Sequence, residues 1–383
     1  MKNSLKEIFT EILLFIRRFY FLLHILLVLY TLLVYQISFE ADIKHWTGGF
    51  LMMSLPVVWV IHIVIAMSWI IVGSWRFLLS ALVILIGFPF GKRTFRFNPR
   101  AEYPTENTLS VLSYNMMYID YHKVIDDKNP ENTQNLVASL PLLDSDIECY
   151  QELYNNDAYG QLALIKKLKK TNTYYTYMHS SPGNDRGKGQ IGLAIFSKYP
   201  LKNKRELYWK RNNNGAIAVD VMTDKGTFTV INTQMHSMGI RVGRVLNARS
   251  DEEKVKKETK NIISQLKAGF EERVIQTAEL EKLIHESKYP VILCGDFNEL
   301  PYGYAYGRIR KLLQNTFEEK GRGFGFTYHH LPGFLRIDQI FVDSNAWKVE
   351  EFKTLHEIPF SDHYPIRAVL SMKSIKNQSG DAE

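Results

Sequence analysis

Cysteine is scarce, with two in 383 residues, Cys149 and Cys294. Both sit inside apolar, strand-like runs, DIECY and VILCGDF, where a thiol behaves as a small hydrophobe. Two buried core thiols are expected, with a disulfide as the alternative, and neither fixes a redox compartment. Cys and His form no cluster with zinc-site spacing, and there is no internal repeat. Neither sign of charge dominates. Lys plus Arg number 47 and Asp plus Glu 40, a formal net charge of +7, which does not by itself argue for a nucleic-acid partner. An added nucleic-acid module is lacking, and so is a strong basic stripe away from the basic cluster around Lys92–Arg100.

The first ninety residues are dominated by Leu, Ile, Val, Phe and Trp. After Arg17 and Arg18 comes FYFLLHILLVLYTLLVYQIS, Phe19 to Ser38, about the length a helix needs to cross a bilayer. A polar FEADIKHW follows. Thr47 to Phe90 is then one apolar run broken by a single charge, Arg76, long enough for two helices with a turn near Gly73 to Arg76. The first run is too long for a cleaved signal peptide, and no small-residue cleavage site follows it. The expectation is a multi-pass membrane region over 1–90 with two or three transmembrane helices, three being favoured on length. Basic residues tie across three spans. Three spans would place the C-terminal domain across the membrane from the N-terminus, on the non-cytoplasmic face. A basic juxtamembrane linker, 91–107, and a polar C-terminal tail, 374–383, bracket the rest.

From Thr108 the pattern changes to short apolar strands alternating with charged helical stretches. LSVLSYN, DIECYQEL, TYYTYMHS, IGLAIFSK, AIAVDVMT, FTVINTQMHS, VILCGDFN, RIDQIFVD and PIRAVL read as strands. NTQNLVASL, a stretch around Tyr159 to Lys170, and Arg249 to Ser287 read as helices. Many strands with interspersed helices indicate two packed sheets with helices outside, over 108–373.

Several apolar strands end in the same chemistry: LSVLSYN in Asn115, DIECYQE in Glu152, VILCGDFN in Asp296 and Asn298. RID adds Asp338, and SDH adds Asp362 and His363. One such end is an ordinary turn. Five in one chain are not, and carboxylate and amide oxygens suit Mg²⁺ or Mn²⁺. Glu148 precedes the QEL motif on the strand face expected for Glu152, and a surface or salt-bridge role is expected for it. In VINTQMHSMG, alternation puts Asn232, Gln234 and His236 on one face.

The order SYN, QEL, IGLAIFSKYPL, NTQMHS, CGDFNELP, RIDQIF and SDHYPI resembles the endonuclease/exonuclease/phosphatase superfamily, and the apolar N-terminus resembles its membrane-tethered bacterial members. The resemblance covers roughly 105–373. It implies a four-layer α/β sandwich, two packed mixed β-sheets flanked by helices, here preceded by the N-terminal transmembrane helical region. It implies that Glu152 is the principal metal ligand, with Asn115 and Asp362 beside it. It implies that Asp296 orients or deprotonates the attacking water, with Asn298 holding that water or the phosphate. Asp338 would orient the catalytic histidine, His363. In many relatives a second histidine stands where this chain has Gln234. His236 is then a candidate substitute, and Gln234 otherwise a neutral donor.

The activity implied is that of a membrane-anchored, Mg²⁺- or Mn²⁺-dependent hydrolase of a phosphodiester or phosphomonoester, with the lipid bilayer as partner. A lipid head group is the favoured substrate and nucleic acid the alternative. A tethered binding module without catalysis is disfavoured by the completeness of the ligand set. Specificity is expected in loops such as Ser180 to Gln190 and Gly321 to Gly333.

Overall fold

The computed structural model describes residues 2–99, 107–126, 128–179, 189–209, 214–237, 252–330 and 333–373. The loop expected from Ser180 to Gln190 lies mostly outside these residues, as does the tail 374–383. The chain forms two compact units, one of Met1–Lys92 with Tyr302–Tyr304, the other of Arg93–Pro301 and Ala305–Glu383.

The helices of the N-terminal region are α1 (Lys2–Glu40), α2 (Trp46–Met53), α3 (Leu55–Ile71), α4 (Phe77–Ile86) and α5 (Phe88–Thr94). Glu7–Glu40 and Trp46–Ile71 are each long and apolar enough to cross a membrane. The pair α4 and α5, bent by 64°, makes a third span if counted as one. The turn before α4 runs through Gly73 at φ +63°, a left-handed conformation that glycine adopts without a Cβ clash.

Beyond Arg18 the helices turn apolar side chains outward, Leu26, Leu29, Val60, Val64 and Leu78 among them. Their interior holds a polar chain that periodicity does not reveal. Trp69 Nε1 can only donate, and it donates to His24 Nδ1 at 3.1 Å. His24 therefore carries its proton on Nε2, 2.8 Å from Ser80 Oγ. Ser80 in turn donates to His62 Nδ1 at 3.0 Å. His62 Nε2 donates to Thr31 Oγ1 at 2.9 Å, and Thr31 to the Leu27 carbonyl at 2.7 Å. Every link is satisfied with both imidazoles neutral, and His24, Thr31, His62 and Ser80 are fully buried. The chain ties α1, α3 and α4 in one register.

The second unit is built on two six-stranded sheets. One has the order β13 (Trp347–Thr354), β14 (Ile366–Met372), β2 (Thr108–Asn115), β3 (Ile147–Asn155), β5 (Gln190–Ser197), β4 (Tyr174–His179). The other runs β10 (Gln314–Asn315), β12 (Asp338–Val342), β9 (Val291–Asp296), β8 (Gly226–Gln234), β7 (Gly215–Thr223), β6 (Leu201–Tyr208). Both are mixed, because β2–β3 and β8–β9 are parallel pairs among antiparallel ones.

Alternation along the strands sends Val111, Ile147, Cys149 and Ile195 of the first sheet against Val219, Val230, Ile292, Cys294 and Ile340 of the second. Both cysteines are free thiols in that inner layer. The outer face of the second sheet packs on Leu280, Leu283 and Ile284 of the long helix Glu252–His285. That of the first packs on Leu136, Leu143 and Leu164. This is the four-layer sandwich. The helix expected around Tyr159 to Lys170 contracts to Leu164–Leu168. Part of 91–107, expected as a linker, is built into this unit: Arg93 is buried, and β1 (Arg96–Phe97) pairs with β11 (Arg322–Gly323).

Candidate active site

The inner layer fixes register, and register places the chemistry. In the second sheet β8, β9 and β12 are neighbours, with Gln234 paired to Asp296 and Asp296 to Asp338. Three polar side chains thus stand in one row at the strand ends. Gly295 makes the row possible: it has φ +147°, and a Cβ there would lie 1.9 Å from the Thr233 carbonyl oxygen.

Asp296 is held by amides. Its Oδ1 accepts from the Asn298 N–H at 2.8 Å, and its Oδ2 from Asn115 Nδ2 and Asn298 Nδ2, each at 3.0 Å. Asn298 sits at φ +48°, a region asparagine tolerates. Its Nδ2 also reaches the Met235 carbonyl at 3.0 Å.

The first sheet contributes Asn115 from the end of β2 and Glu152 from β3. A register shift between Tyr150 and Leu153, with Glu152 at φ +51°, marks a bulge there. Bulges re-aim side chains, and this one turns Glu152 to accept from Gln234 Nε2 and, at 3.4 Å, from Asn115 Nδ2.

The expectation that Glu148 shares the face of Glu152 and serves at the surface or in a salt bridge is therefore corrected. Glu148 is 1% exposed and points away from the inter-sheet layer. It accepts from the Ser145 N–H at 3.1 Å and the Tyr150 hydroxyl at 2.9 Å.

His363 lies just before β14, its Nδ1 2.8 Å from Asp338 Oδ2. Its Nε2 is 4.0 Å from Asp296 Oδ2 and 3.9 Å from Asp362 Oδ1. Ser361 Oγ donates to the Asn115 carbonyl at 2.8 Å, which ties the SDH turn to β2. The Tyr328 ring meets the imidazole edge-on, with centroids 5.2 Å apart.

Burial disfavours the charged imidazolium, yet Asp338, Asp296 and Asp362 outweigh it and push His363 up to about 10. Burial, reinforced by the Asp338 charge, pushes Asp296 up to about 7, and burial also raises Glu152. Four carboxylates thus face one imidazolium; Asp296 and Asp338 are buried, and Glu152 and Asp362 are part-exposed. Asp338 Oδ1 is buried without a hydrogen-bond partner among the described residues. Asp296, Asp338 and His363 bring three potential ligand atoms within 4.8 Å of one another, although His363 Nδ1 is already engaged by Asp338. Excess negative charge presented by oxygen donors fits a hard divalent cation.

Eight of the nine expected residues therefore converge: Asn115, Glu152, Gln234, Asp296, Asn298, Asp338, Asp362 and His363. His236 lies past the end of β8, half-exposed, with its N–H donating to Gln276 and its carbonyl accepting from Arg273. Asn232, on the same strand face as Gln234, is a buried bridge between the sheets. It accepts from Gln151 at 2.7 Å and donates to the Tyr150 and Ala194 carbonyls.

Two participants carried no signal in the sequence. Tyr118 lies near Glu152, whose charge adds to burial in raising the phenol, on a turn in which Met117, Tyr118, Ile119 and Asp120 all have φ between +45° and +55°. Such a run without glycine is strained and cannot be read from residue type. Arg273, fully buried, bonds Glu299 at 3.2 Å beneath the Asn298 turn.

Residues 112–363 match the Endonuclease/Exonuclease/phosphatase family. The chain belongs to that family. Its members are metal-dependent hydrolases of phosphoester bonds, and this chain is an enzyme of that class. Residues 17–94 match a domain of unknown function. No curated protein matches the sequence.

Among solved structures, the human Nocturnin catalytic domain with bound sulfate anion is similar in fold. It is 18% identical over 72% of this chain and 99% of its own, with a TM-score of 0.50. A family protein from Bacteroides thetaiotaomicron is 20% identical over 70% of this chain and 98% of its own, with a TM-score of 0.47.

Proposed function

We propose that this member of the family is a membrane-anchored phosphoesterase that uses Mg²⁺ or Mn²⁺ to hydrolyse a phosphoester in a lipid head group at the bilayer surface. The observation that carries the reading is the Asp338–His363 pair, whose free Nε2 faces the amide-held Asp296 carboxylate across 4.0 Å, beside Glu152.

Asp338 holds the imidazole by Nδ1 and supports its positive charge, leaving the Nε2 proton for a phosphoryl oxygen. Asp296, raised towards neutrality, accepts a proton from a water aligned with the phosphorus. Asn298 and Asn115 fix the direction of that carboxylate. Glu152, Asn115 and Asp362 would hold the cation, which when bound offsets charge on the phosphoryl oxygens. Gln234 keeps Glu152 in place as a neutral donor. The helices long and apolar enough to span a bilayer favour a substrate at the membrane over a soluble one.

The test is a substrate panel on the full chain in lipid vesicles: bis-(p-nitrophenyl) phosphate, lysophospholipid, sphingomyelin, phosphoinositide, and single-stranded and abasic DNA. Each is assayed with Mg²⁺ and with chelator. Metal-dependent hydrolysis of a lipid, abolished in Asp296→Ala and His363→Ala, is the expected result. Equal rates in wild type and both variants would refute the catalytic assignment, and preference for DNA would refute the lipid.

A further inference from the structure

The catalytic unit displays aromatic rings where a soluble surface would not. Phe97 is 91% exposed and Phe324 46%. The rings form a patch: Phe95 lies 4.5 Å from Phe97 and 4.8 Å from Phe324, and Phe324 stacks on Phe326 at 5.0 Å.

The patch is carried by the ribbon of β1 and β11, two residues on each strand. A ribbon that short has no stability of its own in water, and it is pinned from behind. Asn98 Nδ2 donates to the Gly321 carbonyl at 2.8 Å. The buried Arg336 donates to the Arg93 carbonyl and, at 2.8 Å, to Gln339. Packing therefore holds the rings out in place of collapsing them into the core.

The composition selects the occupant. Phe97 pairs with the exposed Arg322 across the ribbon. Aromatic rings beside an arginine suit the head-group layer of a bilayer, where the ring enters the acyl boundary and the guanidinium meets lipid phosphate. A protein partner would not require the arginine. The ribbon also follows directly in the chain from helices long and apolar enough to cross a membrane.

The patch and the catalytic machinery share one loop. From Phe324 the chain runs to Thr327, whose hydroxyl accepts from the Asp338 N–H at 3.2 Å, and to Tyr328 against His363. Four residues separate Phe324 from Tyr328, a backbone span of at most about 13 Å.

We propose that Phe95, Phe97 and Phe324, with Arg322, form a bilayer-docking surface that sets the mouth of the active site at the lipid head groups. The inference rests on the membrane-anchoring part of the proposed function and is independent of the identity of the substrate.

Cys149 and Cys294 are both buried, so a nitroxide can be placed on a single introduced surface cysteine in the full chain. The variants are Phe97→Cys, Phe324→Cys, Tyr208→Cys on the edge strand β6 as an aqueous reference, and Leu29→Cys on the outward face of α1. In phosphatidylcholine–phosphatidylglycerol vesicles, the labels at 97 and 324 are expected to collide with oxygen in preference to a water-soluble nickel chelate. The preference should approach that at 29 and exceed that at 208 several-fold.

Water-like accessibility at 97 and 324 with a lipid-like label at 29 overturns the docking surface and leaves the anchor intact. Protection of 97 and 324 from both quenchers shows a protein contact and also overturns it. Water-like accessibility at 29 removes the anchor and the docking together.

Discussion

Glu148→Gln isolates one buried carboxyl in β3. The side chain is 1% exposed, and burial, its largest influence, pushes it from 4.5 up to about 7, with hydrogen bonds from Tyr150 and Ser145 offsetting part of the rise. The sign follows from linkage. Below about pH 4.5 the group is protonated in both folded and unfolded chains and costs nothing. As pH rises towards 7 the unfolded chain releases the proton while the folded chain retains it, so stability falls, and the loss is complete above the folded value. At roughly 1.4 kcal/mol per pH unit between the two values, the loss is about 3 kcal/mol.

Glutamine reproduces the protonated acid. Its carbonyl can accept from Ser145 and its amide can donate to the Tyr150 oxygen, so it should match wild type at pH 4.5 and exceed it by about 3 kcal/mol at pH 8. For a domain of this size that is about 6 °C in Tm. A thiol-reactive dye reports the transition, because both cysteines lie in the inter-sheet core and become reactive only when it opens. Active-site groups titrate in both proteins and cancel in the difference. Parallel Tm curves for wild type and variant between pH 5 and 8 would refute the placement of Glu148.

Asp338→Asn should preserve the fold and lower kcat by about 10²–10⁴-fold, because an amide no longer fixes the imidazole tautomer or supports its charge; steady-state assays with Mg²⁺ measure this, and near-wild-type turnover would exclude the pairing. Gln234→Leu removes a charge-assisted donor to Glu152 and should raise the Mg²⁺ concentration for half-maximal activity about tenfold, whereas Gln234→His retains a donor and should stay within about threefold. A matching loss in Gln234→His would mean that the amide is needed for itself. Ser80→Ala strands the His24 Nε2 proton and His62 Nδ1 inside the helical region and should destabilise it by about 1–2 kcal/mol, read as easier detergent-induced loss of helix in the full chain; an unchanged transition would show that α1, α3 and α4 do not depend on the chain of hydrogen bonds.

The residue types of the site were legible because the chemistry dictates them: a cation asks for oxygen donors, and a proton transfer for a histidine with an acid behind it. Their convergence was legible because Asn115, Asp296 and Asp338 stand at the ends or starts of apolar strands, whose inner faces allow no slip of register. Of the long strands, β6 and β13 are missing from the reading, and each lies at an edge of its sheet. Their sequences, LKNKRELY and WKVEEFKT, carry the charges that keep an edge from pairing with another chain. The same charges hide them from a search for apolar alternation.

The failures at Glu148 and Tyr118 arise where the backbone leaves its period. A strand of strict alternation would carry Glu148 and Glu152 to the same face, and the bulge at Glu152 is what separates them. One becomes a buried acid behind the sheet, the other reaches Gln234 across the sandwich. The left-handed turn through Met117–Asp120 brings Tyr118 to the same carboxylate, and no residue type announces it. With the bulge in place, Glu152 accepts from the Gln234 and Asn115 amides. Strain of this kind survives only where surrounding contacts over-determine it. Here the Met117 N–H bonds Asn115 Oδ1 at 3.0 Å, and the Met116 N–H bonds the Gln151 carbonyl at 2.9 Å. The strained turn is thereby tied to β3 one residue before Glu152, so relaxing either irregularity would pull the other, and with it the carboxylate, out of the site.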